Sequence, residues 1–183
     1  AVDNAIINGS GSITGLDGYA AASGSSIDLD GASIATGNSA TLTAAGLMTA
    51  RKAMGKYGVN PADVAYIVSQ ARYFELIEDA GFQDVTDVGS DLATKITGQI
   101  GSVFGSPVIV SDSFAAEGAG VPAAFAVNAR NYVIPRLRGV TVETDYEVGN
   151  QRNVVVASQA LGFEELVAGV TGNEPVVKID CVA

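Results

Sequence analysis

The stretch Asp3-Asn4-Ala5-Ile6-Ile7-Asn8-Gly9-Ser10-Gly11, followed shortly by Leu16-Asp17-Gly18, sets the reading of the whole chain. Asn8-Gly9 is a turn signal, because asparagine and glycine tolerate the positive φ that other residues avoid. Beyond it, residues 8 to 40 are rich in Gly, Ser, Thr and Ala, with short apolar pulses at Ile13, Ile27 to Leu29 and Ile34. The pairs Asp17-Gly18, Asp30-Gly31 and Gly37-Asn38 separate the pulses, which predicts an irregular loop with one or two short strands.

Further along, the period changes. Leu47, Ala50 or Arg51, Met54 and Tyr57 recur at helical spacing after Thr41 or Thr43, either of which can cap the helix. Arg51, Lys52 and Lys56 fall near its C-terminal end and Gly58 stops it. Asn60-Pro61 then forces extension, and Val64 to Val68 has the β-propensity of a central strand. Ser69 caps a second helix that buries Tyr73, Leu76, Ile77 and Ala80, turns Arg72, Glu75, Glu78 and Asp79 to water, and ends at Gly81. A polar loop with Asp84, Asp87, Asp91 and Lys95 follows.

Gly98 to Val110 reads as two strands bent at Gly105, with Pro107 opening the second. Ala115 to Gly120 is a surface loop, and strands follow at Ala123 to Val127 and Tyr132 to Ile134. Residues 139 to 148 alternate, Val140, Val142, Thr144 and Tyr146 against Thr141, Glu143, Asp145 and Glu147. Gly149-Asn150 turns the chain, and residues 152 to 161 return as the partner of a long hairpin. A helical or irregular bridge around Phe163 to Gly169 leads to a last strand, Pro175 to Val182.

Composition limits function. The chain has 183 residues, enough for one buried core, with 48% hydrophobic and only 16% charged residues. That leaves more apolar surface than a monomer of this size easily hides, and points to burial against neighbouring subunits. A formal charge of −10 gives no basic face for sequence-independent DNA binding. With no histidine, Ser-His-Asp and Cys-His catalysis and His-ligated zinc are excluded. Cys181, the single cysteine, can form neither an intrachain disulfide nor a thiolate cluster, and reads as a small strand residue. The nearly apolar run Gly118 to Val127 is too short to span a membrane, no signal-peptide pattern precedes it, and a soluble protein is expected. The chain begins with Ala1 instead of Met, so removal of an upstream segment is expected.

The order of these segments resembles the C-terminal half of the major capsid proteins of tailed bacteriophages, the Hong Kong 97-type family. There an Ala-hydrophobic-hydrophobic-Asn-Gly motif, matched here by Ala5 to Gly9, ends the long spine helix and opens the axial domain. The other landmarks are the helix ending at Gly58, Val59-Asn60-Pro61 before the Val64 to Ser69 strand, and Tyr73 with Leu76. Gly105-x-Pro107-Val108-x-Val110, the strand pair at Phe125 and Tyr132, and the hairpin ending near Leu161-Gly162-Phe163 complete the set. Together they cover about 160 residues, and order and punctuation of this kind rarely coincide in unrelated α+β chains.

The resemblance implies an α+β fold of the capsid type without N-arm, extended loop or most of the spine helix. Residues 1 to 135 would be the axial domain, 136 to 162 the hairpin of the peripheral domain, and 163 to 183 a closing segment of the axial domain. It further implies a structural subunit that self-associates into pentamers and hexamers around DNA in the virion capsid, after assembly in the host cytoplasm. Its partners would be copies of itself and other capsid or scaffolding proteins, with no sequence-specific nucleic acid binding and no membrane. An encapsulin-type compartment shell is a variant of the same reading. A secreted Gly/Ser/Thr-rich binding or adhesion module is the alternative from another class, and it requires an all-β architecture.

Candidate chemistry is sparse. Gly9-Ser10-Gly11 with Gly15 misses Gly-x-Gly-x-x-Gly by one residue, and no strand precedes it. Asp28-Leu29-Asp30-Gly31 lacks the later ligands of a calcium loop and reads as a hairpin turn. Glu164 and Glu165 are adjacent and point apart, which defeats paired acid-base work. No enzyme and no cofactor is implied. Glu75, Glu78, Asp79, Asp84, Asp87 and Asp91 form an acidic run. In the capsid family its second half falls on the loop that converges at a capsomer axis, where Lys95, water or a divalent ion would screen it; otherwise the run is a solvated acidic face. Arg136, Arg138 and Arg152, with Arg130 nearby, lie before or within the hairpin. Glu143, Asp145 and Glu147 can meet them across a subunit interface or within one chain.

Overall fold

The computed structural model describes residues 2–23, 26–28, 41–79, 101–115 and 121–181. Its centre is a six-stranded sheet of order β1-β10-β5-β2-β4-β3. These strands are β1 Ser26–Asp28, β2 Val64–Ser69, β3 Ser102–Val103, β4 Ser106–Ser111, β5 Val121–Asn128 and β10 Val176–Cys181. β2 runs antiparallel to β5 and parallel to β4, while β10 runs antiparallel to β5 and parallel to β1. β5 is the apolar run of the sequence and is buried from Pro122 to Asn128. That continuity, instead of alternation, marks a strand covered on both faces.

Two clusters provide the cover. On one face Val64, Tyr66, Val68, Ala124, Ala126, Val177 and Ile179 meet Leu47 and Ala50 of helix α3 (Ala44–Ala53), Met54 at its C-cap and Leu76 of α4 (Gln70–Glu78). On the other, Phe125, Val127 and Val176 meet Ile7 of α1 (Val2–Asn8), Leu16 and Ala20 of α2 (Leu16–Ser23), and Phe163. Each strand thus sends alternate side chains to opposite helical layers.

Helix α3 starts where expected: the Thr43 hydroxyl accepts a hydrogen bond from Gly46 N at 3.2 Å. A 3₁₀ turn, Gly55–Gly58, ends this segment. Ser69 is the N-cap of α4 in position, but its side chain makes no capping bond. Ala80 and Gly81 lie outside the described residues. Contrary to the sequence reading, Glu75 and Asp79 do not simply face water. Their carboxylates accept from Leu42 N and Ala44 N, at the start of α3.

A second correction falls on residues 16 to 23. Asp17-Gly18 reads as a turn, yet both residues lie inside α2. Leu16 and Ala20 give the helix a buried stripe, Asp17 stands at its positive end, and Asp17 Oδ1 lies 3.5 Å from Lys178 Nζ. Gly18 fits because a Cβ there would stand 2.8 Å from Thr14 Cγ2. Tertiary contact overrides a local turn signal. At the Asn8-Gly9 junction the sequence reading holds: α1 stops at Asn8 and Gly9 has φ +81°. Asn8 Nδ2 donates to Ser113 O at 2.6 Å, fixing the junction against the segment that leaves β4.

Outside the main sheet, β6 (Tyr132–Val133) pairs with β9 (Glu164–Glu165), which replaces part of the expected bridge after Phe163. β7 (Arg136–Glu147) and β8 (Arg152–Leu161) form a separate two-stranded antiparallel sheet. Four helices among the described residues exclude the all-β module. None of the helices is long and apolar enough to cross a membrane.

Candidate subunit interface

The root of the β7–β8 hairpin is tightly held. Gly162 N donates to Pro135 O at 2.8 Å, and Tyr132 stacks on Phe163 with ring centroids 5.2 Å apart, while Tyr19 of α2 packs against both rings. Tyr132 Oη donates to Glu165 Oε1 at 3.4 Å. Burial, then the Glu165 charge, pushes the Tyr132 hydroxyl far up, and burial also raises the Glu165 carboxyl. Glu164 is exposed, so the two neighbouring glutamates point apart as expected. This aromatic knot was not singled out from the sequence, although Leu161-Gly162-Phe163 marks its place.

Beyond the root the hairpin is open. Leu137 is 91% exposed, Val140 66%, Val142 60% and Val155 63%, values foreign to a strand that has finished burying its apolar groups. The register sorts the side chains. Val142 stands opposite Ala157, Thr144 opposite Val155 and Tyr146 opposite Asn153, which leaves one face free of charge from Val142 to Tyr146. Glu143 stands opposite Val156, Asp145 opposite Val154 and Glu147 opposite Arg152 on the other face. Further exposed apolar residues, Ile109 and Val110 on β4 and Phe74 on α4, lie on the body of the protein.

The three hairpin arginines behave differently. Arg152 Nε lies 2.6 Å from Glu147 Oε2, so this pair closes within the chain. Arg138 donates to Ser158 Oγ at 2.5 Å and has no ion pair among the described residues. Arg136 is exposed and likewise without one. Arg130, just before, pairs with Asp63 at 2.6 Å. Asp84, Asp87, Asp91 and Lys95 lie outside the described residues.

Nothing in the described residues assembles into a reaction centre. No group of three metal-ligating side chains exists among them. The concave space between α1 and the sheet, about 270 Å³, is lined chiefly by Ile6, Ile7, Ile67, Ile109 and Val110 with Asp3 at its edge, and offers no convergent acid and base.

Comparison with known proteins agrees with this geometry. The chain is 36% identical over 118 residues to the major capsid protein of Escherichia phage T5, a match that covers 64% of the chain and 26% of that protein. It superposes on a solved structure from Mycobacterium phage Che8 with a TM-score of 0.65 at 16% identity, over 90% of the chain and 55% of its counterpart. It superposes on the capsid of an empty GTA particle with a TM-score of 0.63 at 15% identity, over 98% of the chain and 60% of its counterpart. The chain has the Hong Kong 97-type capsid fold. No protein-family model matches it. The chain spans about a quarter of the length of its curated relative and somewhat over half of the two solved capsid-fold chains.

Proposed function

We propose that the chain is part of a structural subunit of a tailed-phage or prophage capsid, packing with copies of itself into pentamers and hexamers of an icosahedral shell around DNA. The 36% identity to a phage major capsid protein, on a chain of the same fold, carries this reading. Residues 1 to 135 act as the axial domain, 136 to 162 as the hairpin of the peripheral domain and 163 to 183 as the segment that returns to the axial domain. The separate β7–β8 sheet and the return of β10 into the main sheet, beside β5, support this division.

In this reading function is geometry. Exposed apolar groups such as Leu137, Val140 and Val155 become buried by neighbours, and many weak identical contacts add up by symmetry. Arg136 and Arg138 meet carboxylates of adjacent subunits, whereas Arg152 acts within its own hairpin. Asp84, Asp87, Asp91 and Lys95 gather at the capsomer axis. The shell subunit catalyses nothing and needs no cofactor. Its partners are its own copies and other capsid or scaffolding proteins, with no membrane and no sequence-specific contact to nucleic acid. A charge of −10 keeps packaged DNA from adhering to the wall. Mass spectrometry of purified particles from the phage or prophage that encodes the chain tests this. The chain's peptides should dominate the particle; particles without them contradict the proposal.

A further inference from the structure

We propose that the hairpin face carrying Arg138, Glu143 and Asp145 binds the same face of a second copy of the chain, root against tip. The inference rests on the shell reading and adds to it a contact surface and a polarity. Arg138 stands opposite Ala160 near the root, whereas Glu143 and Asp145 stand opposite Val156 and Val154 towards the turn. The bulge between Arg138 and Thr141 leaves all three side chains on one face, as the bond from Arg138 to Ser158 also indicates. Arg138 and Glu143 stand opposite Ala160 and Val156, four residues apart along β8, so about 13 Å of strand separates them, and no ion pair links them. At the tip, Glu147 is already neutralised by Arg152.

Among the described residues, the exposed face therefore keeps one cation without an ion pair at its root and two carboxylates without one towards its tip, Asp145 accepting only from Tyr146 N at 2.8 Å. A second copy laid root against tip matches each charge with its opposite. Laid root on root, it sets arginine on arginine and carboxylates on carboxylates, so charge alone selects the orientation. Between the charged ends lies an uncharged strip, Thr141 opposite Ser158, continued beside the carboxylates by Val156, which is half exposed, and Val154. Association removes this strip from water, and the charged pairs fix its register.

Sedimentation velocity of the chain at low salt tests the proposal, with Arg138→Glu, with Glu143→Arg plus Asp145→Arg, and with all three reversals in one chain. The wild type should self-associate, less so as salt rises, and either one-sided reversal should weaken association by about tenfold or more. The full reversal restores the complementarity and should recover wild-type association to within about threefold. Thermal melting of each variant should be nearly unchanged, since these side chains are exposed. One-sided reversals without effect, a full reversal without recovery, or a wild type that stays monomeric at low salt would overturn the pairing. The shell reading would survive any of these if the chain still dominates purified particles.

Discussion

Asp79 Oδ2 accepts a hydrogen bond from the backbone N–H of Ala44 at 2.7 Å, so the end of α4 caps the start of α3. One turn earlier, Glu75 Oε2 does the same for Leu42 N at 2.8 Å while also holding Arg72. Two carboxylates thus meet free N–H groups at the positive end of a helix. Asp79→Ala and Glu75→Ala should each lower stability by about 0.5–2 kcal/mol, and Asp79→Asn by less because it keeps an acceptor. Urea unfolding followed by circular dichroism measures this; midpoints equal to wild type would show the caps to be dispensable.

The turn between α1 and α2 should discriminate sharply among its glycines. A Cβ on Gly15 would stand 2.2 Å from Gly9 N and 2.8 Å from Ile7 O, so Gly15→Ala must push the backbone apart. Gly11 has φ +57° but open space around it. Gly11→Ala should therefore cost only the left-handed penalty of about 1 kcal/mol, and Gly15→Ala several times as much. Comparable melting temperatures for the two variants would contradict the close approach.

Arg51 reaches three carbonyls on two segments. Its guanidinium donates to Gly58 O at 2.7 Å, Val59 O at 3.2 Å and Phe104 O at 2.9 Å, tying α3 to the turn before β4, where Phe104 takes φ +50°. Lysine cannot reproduce that fork. Arg51→Lys and Arg51→Ala should both destabilise, by about 1–3 kcal/mol. Denaturant titration would count against the role if Arg51→Lys matched the wild type.

The buried Glu174 and the partly buried Glu165 predict the direction of pH dependence. Burial raises the pKa of Glu165 and Glu174 above the ordinary value of 4.5, so the folded state holds these protons more tightly than the unfolded state. Their contribution is greatest below that value, falls as pH rises through it towards the raised folded values, and is then constant. Glu165→Gln and Glu174→Gln should flatten this fall. Melting temperatures taken from about pH 4 to pH 7 decide it, and a Glu174→Gln profile as steep as wild type would sink the assignment.

Much of the fold was legible because its strongest signals are local and agree with the tertiary structure. Thr43 capping α3, Gly9 ending α1, Gly105 turning β3 into β4 and the alternation of Val140 to Glu147 all state their geometry within a few residues. Helix α2 was not legible, because Asp17-Gly18 carries a turn signal and the contacts that select the helix include Phe125 and Lys178, more than 100 residues away. The roles of Glu75 and Asp79 failed for a related reason. On their own helix they read as a wet face, and only α3 supplies the N–H groups that they cap. At the candidate interface, the sequence named the hairpin arginines and acids but left their pairing open. The register decides it for Glu147 and Arg152.

In the proposed shell, the apolar groups left open on this chain are completed by its own copies. Electron microscopy of the full-length parent protein, purified and allowed to assemble, tests it most directly. Closed icosahedral shells, or their pentameric and hexameric rings, are expected. A uniform population of monomers with neither shells nor rings would contradict it.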